Sequence, residues 1–353
     1  MSQNRYPWVD HLKALGMVLV VAGHTALPPA QHRWIYGFHM PLFFILSGFL
    51  IAPGGFAVPL RTFFQRRIWK LIKLYAGFGL LGTAVYCYVF RHEQPLAAAL
   101  GGRLYSLVYA SASRDTPADL YPMALWFFPG LISGLLVTTT VWKIPCLWAR
   151  AVTMGAVVSG GFLMAGWALP WELESGCVAA GFLATGHWAR LAAWDVRLRH
   201  AGRRVLPVAA AALLLGSWLA ILNTHCLDLR LASIGNPLLA LPACGLLLLA
   251  LAVCSMQLRA WRISEAVAAA TIVIFPTHML VFPYLDRVAL KLGVPASALA
   301  ASPAWYGWSK AAVIVAAITV VHFAYARAKS RRAVRHPAVG VLPQRSHDSA
   351  GQV

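Results

Sequence analysis

WVDHLKALGMVLVVAGH (residues 8–24) and IYGFHMPLFFILSGFLI (residues 35–51) decide how this chain folds. Each is an apolar run close to the length of about 20 residues that a helix needs to cross hydrocarbon. The LPPAQHR turn between them is short enough to keep the two helices adjacent. His24 and His39 nevertheless stand inside these runs, where an ionisable ring is costly unless it faces a protein interior or a wet cavity.

The rest of the chain has the same character. Of its 353 residues 59% are hydrophobic and only 12% charged, too few charges to cover the surface of a soluble domain. A window of about 20 residues picks out ten apolar segments, near 13–29, 34–52, 71–90, 123–142, 151–169, 173–189, 205–223, 237–255, 266–285 and 305–325. The expected fold is all-α, a polytopic integral membrane protein of about ten transmembrane helices. An even count puts both termini on one side, and the loops on that side hold most of the 30 lysines and arginines. The opposite side keeps Arg33, Arg91, Arg103, Arg114, Arg230, Arg287, Lys291 and Lys310. Basic loops face the cytoplasm, so both termini are expected there. This asymmetry accounts for the net charge of +19 without nucleic acid, for which no soluble module is present.

No small-residue cleavage pattern follows the first apolar run, which is expected to stay as an anchor. Residues 1–327 read as one membrane domain, and the basic tail 328–353 has the composition of a disordered end. Residues 91–122, mixed small, polar and aromatic, suit either a cap over a polar ligand or a plain connection. The six cysteines form no C-x-x-C pair and read as packing residues, and no metal site is expected. No H-E-x-x-H, phosphate-binding glycine loop or G-x-S-x-G elbow occurs.

The polar residues in the first helix set a chemical direction. His24 follows Lys13 by 11 residues, about 16 Å along a helix, which places the histidine deep in the membrane if Lys13 sits at its edge. A neutral imidazole there can take a proton from an alcohol. Asp10 is too far from His24 for contact within one straight helix, at roughly 21 Å, but can meet Lys13 at i,i+3, cap the helix or serve as a satisfied ion-pair partner. His39 reads equally as a second wall of the His24 cavity or as a scaffold histidine bonded to backbone. In the loop APGGFAVPLRTFFQRRIWKLIK, Arg66, Arg67 and Lys70 concentrate donors suited to phosphate groups.

These two N-terminal blocks resemble the membrane acyltransferase 3 family, in particular its fucose 4-O-acetylase-like and exopolysaccharide O-acetyltransferase branch, including xanthan-type acetyltransferases. The resemblance continues through QRRIWKLIKLY, ALWFFPGLISGLL (124–136), GFLATGHWAR (181–190), ILNTHCLDLRLASIGNPLLAL (221–241) and IFPTHMLVF (274–282). It implies an enzyme of the bacterial cytoplasmic membrane that moves acetyl from acetyl-CoA to a sugar hydroxyl of an exopolysaccharide or its polyprenyl-linked repeat unit. The donor would be a substrate, with no permanently bound cofactor, and glycan-assembly machinery would be a partner. Carried over by motif, His24 is the catalytic histidine and Asp10 supports it, while Lys13, Arg66, Arg67 and Lys70 hold the donor. Lysine stands at position 13 where many relatives have arginine, and the basic pair is adjacent, not spaced. His39, Trp126, Asn223, Thr224 and His278 are acceptor-side candidates; Trp126 also reads as an interface anchor and Asn223 as a helix end. The competing class is a transporter or flippase for a glycolipid or small anion, with the same histidines as a proton relay.

Overall fold

Hydrocarbon cannot satisfy backbone N–H and C=O groups, so a chain this apolar must close its hydrogen bonds within helices. The computed structural model, which describes residues 5–25, 27–89, 95–112, 123–301 and 304–335, is accordingly helical throughout. Among the described residues the one departure toward β structure is an isolated bridge between Asp228 and Ser233. The helices are α1 (Pro7–Gly23), α2 (Pro29–Tyr36), α3 (His39–Phe49), α4 (Leu60–Phe63), α5 (Trp69–Val89), α6 (Leu96–Tyr109), α7 (Phe127–Val141) and α8 (Leu147–Leu163). They continue with α9 (Leu173–Leu191), α10 (Trp194–Ala201), α11 (Leu206–Leu222), α12 (Pro237–Gln257), α13 (Arg262–Lys291), α14 (Ala296–Ala301) and α15 (Ala304–Arg335).

A helix stands in each of the ten expected segments, and six stretches are long and apolar enough to cross a membrane: Leu60–Tyr88, Ala124–Val141, Trp194–Leu222, Pro237–Gln257, Arg262–Phe282 and Ala304–Ala328. The chain is therefore an integral membrane protein. The helices α1, α3 and α8, at 17, 11 and 17 residues, are shorter than those six. The region after His24 also differs from its expected form. The supposed turn is itself a helix, α2, opened by Pro29 at its first position, where a missing N–H costs nothing. The segment expected to begin at residue 34 starts at His39, after a break at Gly37 and Phe38. At the other end, α15 runs to Arg335, so the expected tail begins inside a helix, and its remainder lies outside the described residues. Of the stretch 91–122, residues 95–112 are described and form α6, which ends in left-handed backbone at Ala110.

Packing places α1 at the centre, against α3, α12, α13 and α15. Its N-terminal half is tied to the segment joining α12 and α13, where His11 Nε2 lies 3.0 Å from the Arg259 carbonyl oxygen. The α3 and α9 helices touch backbone to backbone. A methyl group built on Gly48 would collide with the Leu183 carbonyl, and one on Gly186 with the Ile45 carbonyl. Small residues are what permits such an approach between membrane helices.

Beyond the far end of α9 a polar knot joins three connections. Ala112 N–H donates to Glu172 Oε1 at 2.5 Å, Ser175 Oγ donates to Glu172 Oε2 at 3.1 Å, and Arg230 Nη1 donates to the Ala112 carbonyl at 3.2 Å. Trp171 and Glu172 both adopt left-handed backbone, with φ of 60° and 51°. Two such non-glycine residues cost roughly 1–3 kcal/mol each, and the knot holds them. Burial pushes the Glu172 carboxyl up to about 8, with the Ala112 N–H opposing the rise.

Two outcomes follow from this packing. Gly186→Ala should destabilise the protein by about 1–3 kcal/mol or more, seen as lower membrane yield and a lower melting temperature in detergent. Because the raised Glu172 pKa means the folded state holds a proton that the unfolded state releases, stability should fall as pH climbs from about 4.5 to about 8. Glu172→Gln, which is neutral at every pH, should flatten that part of the melting-temperature profile.

Candidate active site

The helix α1 brings two cavities into register. At its Lys13 end lies a cavity of about 780 Å³ lined by Lys13, Arg66, Arg67 and Lys70. The two arginines come from a π turn, Phe64–Ile68, inserted between α4 and α5. Such a turn widens the helix by one residue and re-aims side chains, a feature frequent at functional sites. Four cationic side chains from two separate helical stretches thus converge on one space that can receive an anion.

Asp10 does not line this cavity. Its carboxylate takes a 2.7 Å hydrogen bond from Arg5 Nε, and Arg5 Nη1 reaches Glu265 at 3.4 Å. The ion pair that i,i+3 spacing allows with Lys13 gives way to this bridge from the N-terminus to α13. Asp10 is thereby a partner of Arg5, in an ion-pair chain that ends on Glu265 of α13.

At the other end of α1, His24 lines a second cavity of about 330 Å³, together with Thr25, Asp286, Tyr306 and Lys310. The helix stops at Gly23, and His24 is its C-cap, so the ring leaves the helix side and faces this space half-buried. Thr25 Oγ1 donates to the Ala22 carbonyl at 2.7 Å and closes the last turn. The packing of α1 on α13 sets the His278 ring beside His24, with centroids 5.2 Å apart. His278 is fully buried, and its Nδ1 lies 2.7 Å from the Phe275 carbonyl oxygen and 3.1 Å from that of Ile274. Those two acceptors assign the proton of the neutral ring to Nδ1. Nε2 is left as a bare acceptor, and it has no hydrogen-bond partner among the described residues.

Four other candidates stand apart from this cavity. His39 is buried with Nδ1 2.9 Å from the Ile35 carbonyl, the scaffold alternative of its two readings, and its ring meets Tyr36 at 4.8 Å. Trp126 is buried in a 3-10 turn, Met123–Trp126, ahead of α7, which is incompatible with an anchor at a membrane surface. Asn223 spends its amide on the loop that follows α11: Nδ2 donates to the Ile234 carbonyl at 3.2 Å, and Oδ1 accepts from Asn236 N–H at 3.0 Å. Thr224 Oγ1 lies 3.3 Å from His225 Nδ1 on the exposed side of the same loop. Asp286, Tyr306 and Lys310 escaped the sequence reading. The signal was an isolated lysine in the segment 305–325, which had served only as a charge on one side of the membrane.

Between the cavities lies a collar of phenylalanines. Ser47, Leu131 and Ile272 line the basic cavity, and one helical turn from each stand Phe43, Phe127 and Phe275. The rings of Phe127 and Phe275 are 4.8 Å apart, and those of Phe43 and Phe275 6.4 Å. On α1 the collar is completed by Gly16, where an added Cβ would sit 3.0 Å from the Phe43 ring. His278 follows one turn beyond Phe275.

The arrangement can bind an anion at one end and move a proton at the other. Among the described residues no group of three histidines, cysteines or carboxylates could hold a metal ion. No curated protein and no solved structure matches the chain. A family model described as an acyltransferase domain matches residues 6–327, nearly the whole chain, and the protein therefore belongs to the acyltransferase 3 family.

Proposed function

We propose that this membrane acyltransferase moves an acetyl group from acetyl-CoA to a sugar hydroxyl of an exopolysaccharide or its lipid-linked repeat unit. The observation that carries the reading is that one helix, α1, lends Lys13 to a basic cavity and His24 to a second cavity beyond the phenylalanine collar. A thioester donor has two unlike ends, a phosphate-bearing nucleotide and an acyl group. Lys13, Arg66, Arg67 and Lys70 suit the first, and His24 lies about 16 Å further along the helix to meet the second. Positive-inside asymmetry supports a cytoplasmic basic cavity, with both termini on that side of the bacterial cytoplasmic membrane.

In the transfer step His24 takes the proton of the acceptor hydroxyl as its oxygen bonds to the acetyl carbonyl carbon. The tetrahedral intermediate then collapses, the C–S bond breaks, and the departing thiolate receives the proton from His24. His278 acts through His24. Once the acceptor is bound, the His24 ring, its centroid 5.2 Å from that of His278, turns its N–H toward this bare Nε2 and keeps its other nitrogen free for the hydroxyl. Asp10 acts at a distance, through Arg5 and the mouth of the basic cavity. The 1–327 segment is then one catalytic domain, and the acceptor, membrane lipid and glycan-assembly machinery are its partners.

His24→Ala should lower acetyl transfer by roughly 10²–10⁴-fold, measured as free thiol released from acetyl-CoA by the purified protein. Thiol release at the unsubstituted rate in that variant would remove His24 from the chemistry. A transporter would instead carry substrate into vesicles without consuming acetyl-CoA. Arg66→Ala and Arg67→Ala should each raise the KM for acetyl-CoA roughly tenfold or more, the loss of a charge-assisted hydrogen bond to phosphate. With His278→Phe the effect should fall on kcat and its pH dependence, with the acetyl-CoA KM unchanged, and Gln at the same position should recover part of the rate.

A further inference from the structure

The chemistry at His24 leaves part of its cavity unused. Where α13 and α15 meet, Lys310 Nζ lies 2.7 Å from Asp286 Oδ1 and 2.8 Å from Oδ2, and Tyr306 Oη donates to Oδ1 at 2.8 Å. Lys310 also sits 4.8 Å over the face of Phe282. The lysine side chain is 12% exposed and the aspartate 42%, so the ammonium is pinned while the carboxylate keeps accessible lone pairs. All three residues line the cavity with His24.

Size and charge restrict what can enter. At about 330 Å³ the space is near the lower limit of ligand pockets, enough for one ring and too small for an oligosaccharide or a lipid chain. The Asp286 and Lys310 charges cancel within their pair, which leaves hydrogen-bonding capacity without a net field. Polar groups outnumber apolar ones along the wall, with Leu299 the one bulky apolar side chain among the described residues that line it. A neutral polyol meets these conditions, and an anion would find no unpaired cation there.

We propose that Asp286, Tyr306 and Lys310 form the acceptor subsite, which holds a single neutral sugar ring with one hydroxyl at His24. The proposal rests on the acyl-transfer reading above and assigns its acceptor as an uncharged sugar. Hydroxyls of the ring donate hydrogen bonds to Asp286, and Lys310 and Tyr306 fix the carboxylate so that its remaining lone pairs stay aimed at the ring.

The test uses the purified full chain with acetyl-CoA and a panel of methyl glycosides of glucose, galactose, mannose and fucose, set against methyl glucuronide and galacturonide. At least one neutral glycoside should accelerate thiol release saturably, and the uronides should not. Asp286→Asn and Tyr306→Phe should then raise the KM for that glycoside roughly tenfold, the loss of about one hydrogen bond, with the acetyl-CoA KM unchanged. The exchanged pair, Asp286→Lys with Lys310→Asp, keeps the brace between α13 and α15 but moves the carboxylate, and it should not restore the glycoside KM. Restoration by the exchanged pair would reduce the cluster to a brace and overturn the proposal. Unchanged glycoside KM in the single variants, preference for a uronide, or thioester cleavage that no glycoside accelerates would also overturn it. If the unsubstituted protein cleaves no acetyl-CoA at all, the acyl-transfer reading falls, and this proposal with it.

Discussion

Lipid offers no partner for a side-chain proton, so each polar group along α1 must find one in a neighbouring helix or in a cavity. The packing of α1 on α13 meets most of that demand. It joins Arg5 and Asp10 to Glu265 at one end and sets His278 beside His24 at the other. The same contact brings Asp286 to the cavity that His24 lines. Without it, Lys13 and His24 would be two costly groups on an isolated short helix. With it, they become the floors of two cavities on a common axis.

This contact also explains how far the sequence could be read. Apolar length and the rarity of charge were enough to specify helices at every expected segment, because membrane burial leaves a chain few alternatives. His24 stood out because an imidazole among valines and alanines demands an explanation. The break at Gly37 and Phe38 was less legible, since two prolines and a glycine in a short stretch are consistent with either a turn or a short helix. His278 could be suspected, but its pairing with His24 could not, because it depends on the rotation of α13 against α1. Asp10 is an ion-pair partner, one of the roles its position allows, but with a different cation from the one its spacing suggested. Local i,i+3 spacing pointed to Lys13, and a residue five positions upstream supplied the partner.

Asn223 and Trp126 illustrate why residue type alone is a weak guide to a sugar site. An amide and an indole are good ligands for hydroxyls, and they are equally good at closing loops and filling cores. In this chain the amide closes the loop between α11 and α12, and the indole is buried ahead of α7. The cluster at Asp286 is the reverse case. Its residues sit on two helices, Tyr306 twenty and Lys310 twenty-four positions from Asp286, and only the meeting of α13 with α15 brings them together.

The phenylalanine collar has a consequence for the cell as a whole. Two polar cavities that face each other along one helix are most of the way to being a pore, and a continuous file of water between them would conduct protons down the membrane potential. Aromatic rings packed against one another and against a glycine offer water no hydrogen-bond partner, which opposes such a file. The collar is thus an apolar partition between a basic cavity and a histidine-lined one, and a partition of that kind keeps two polar spaces inside a membrane protein from merging into one.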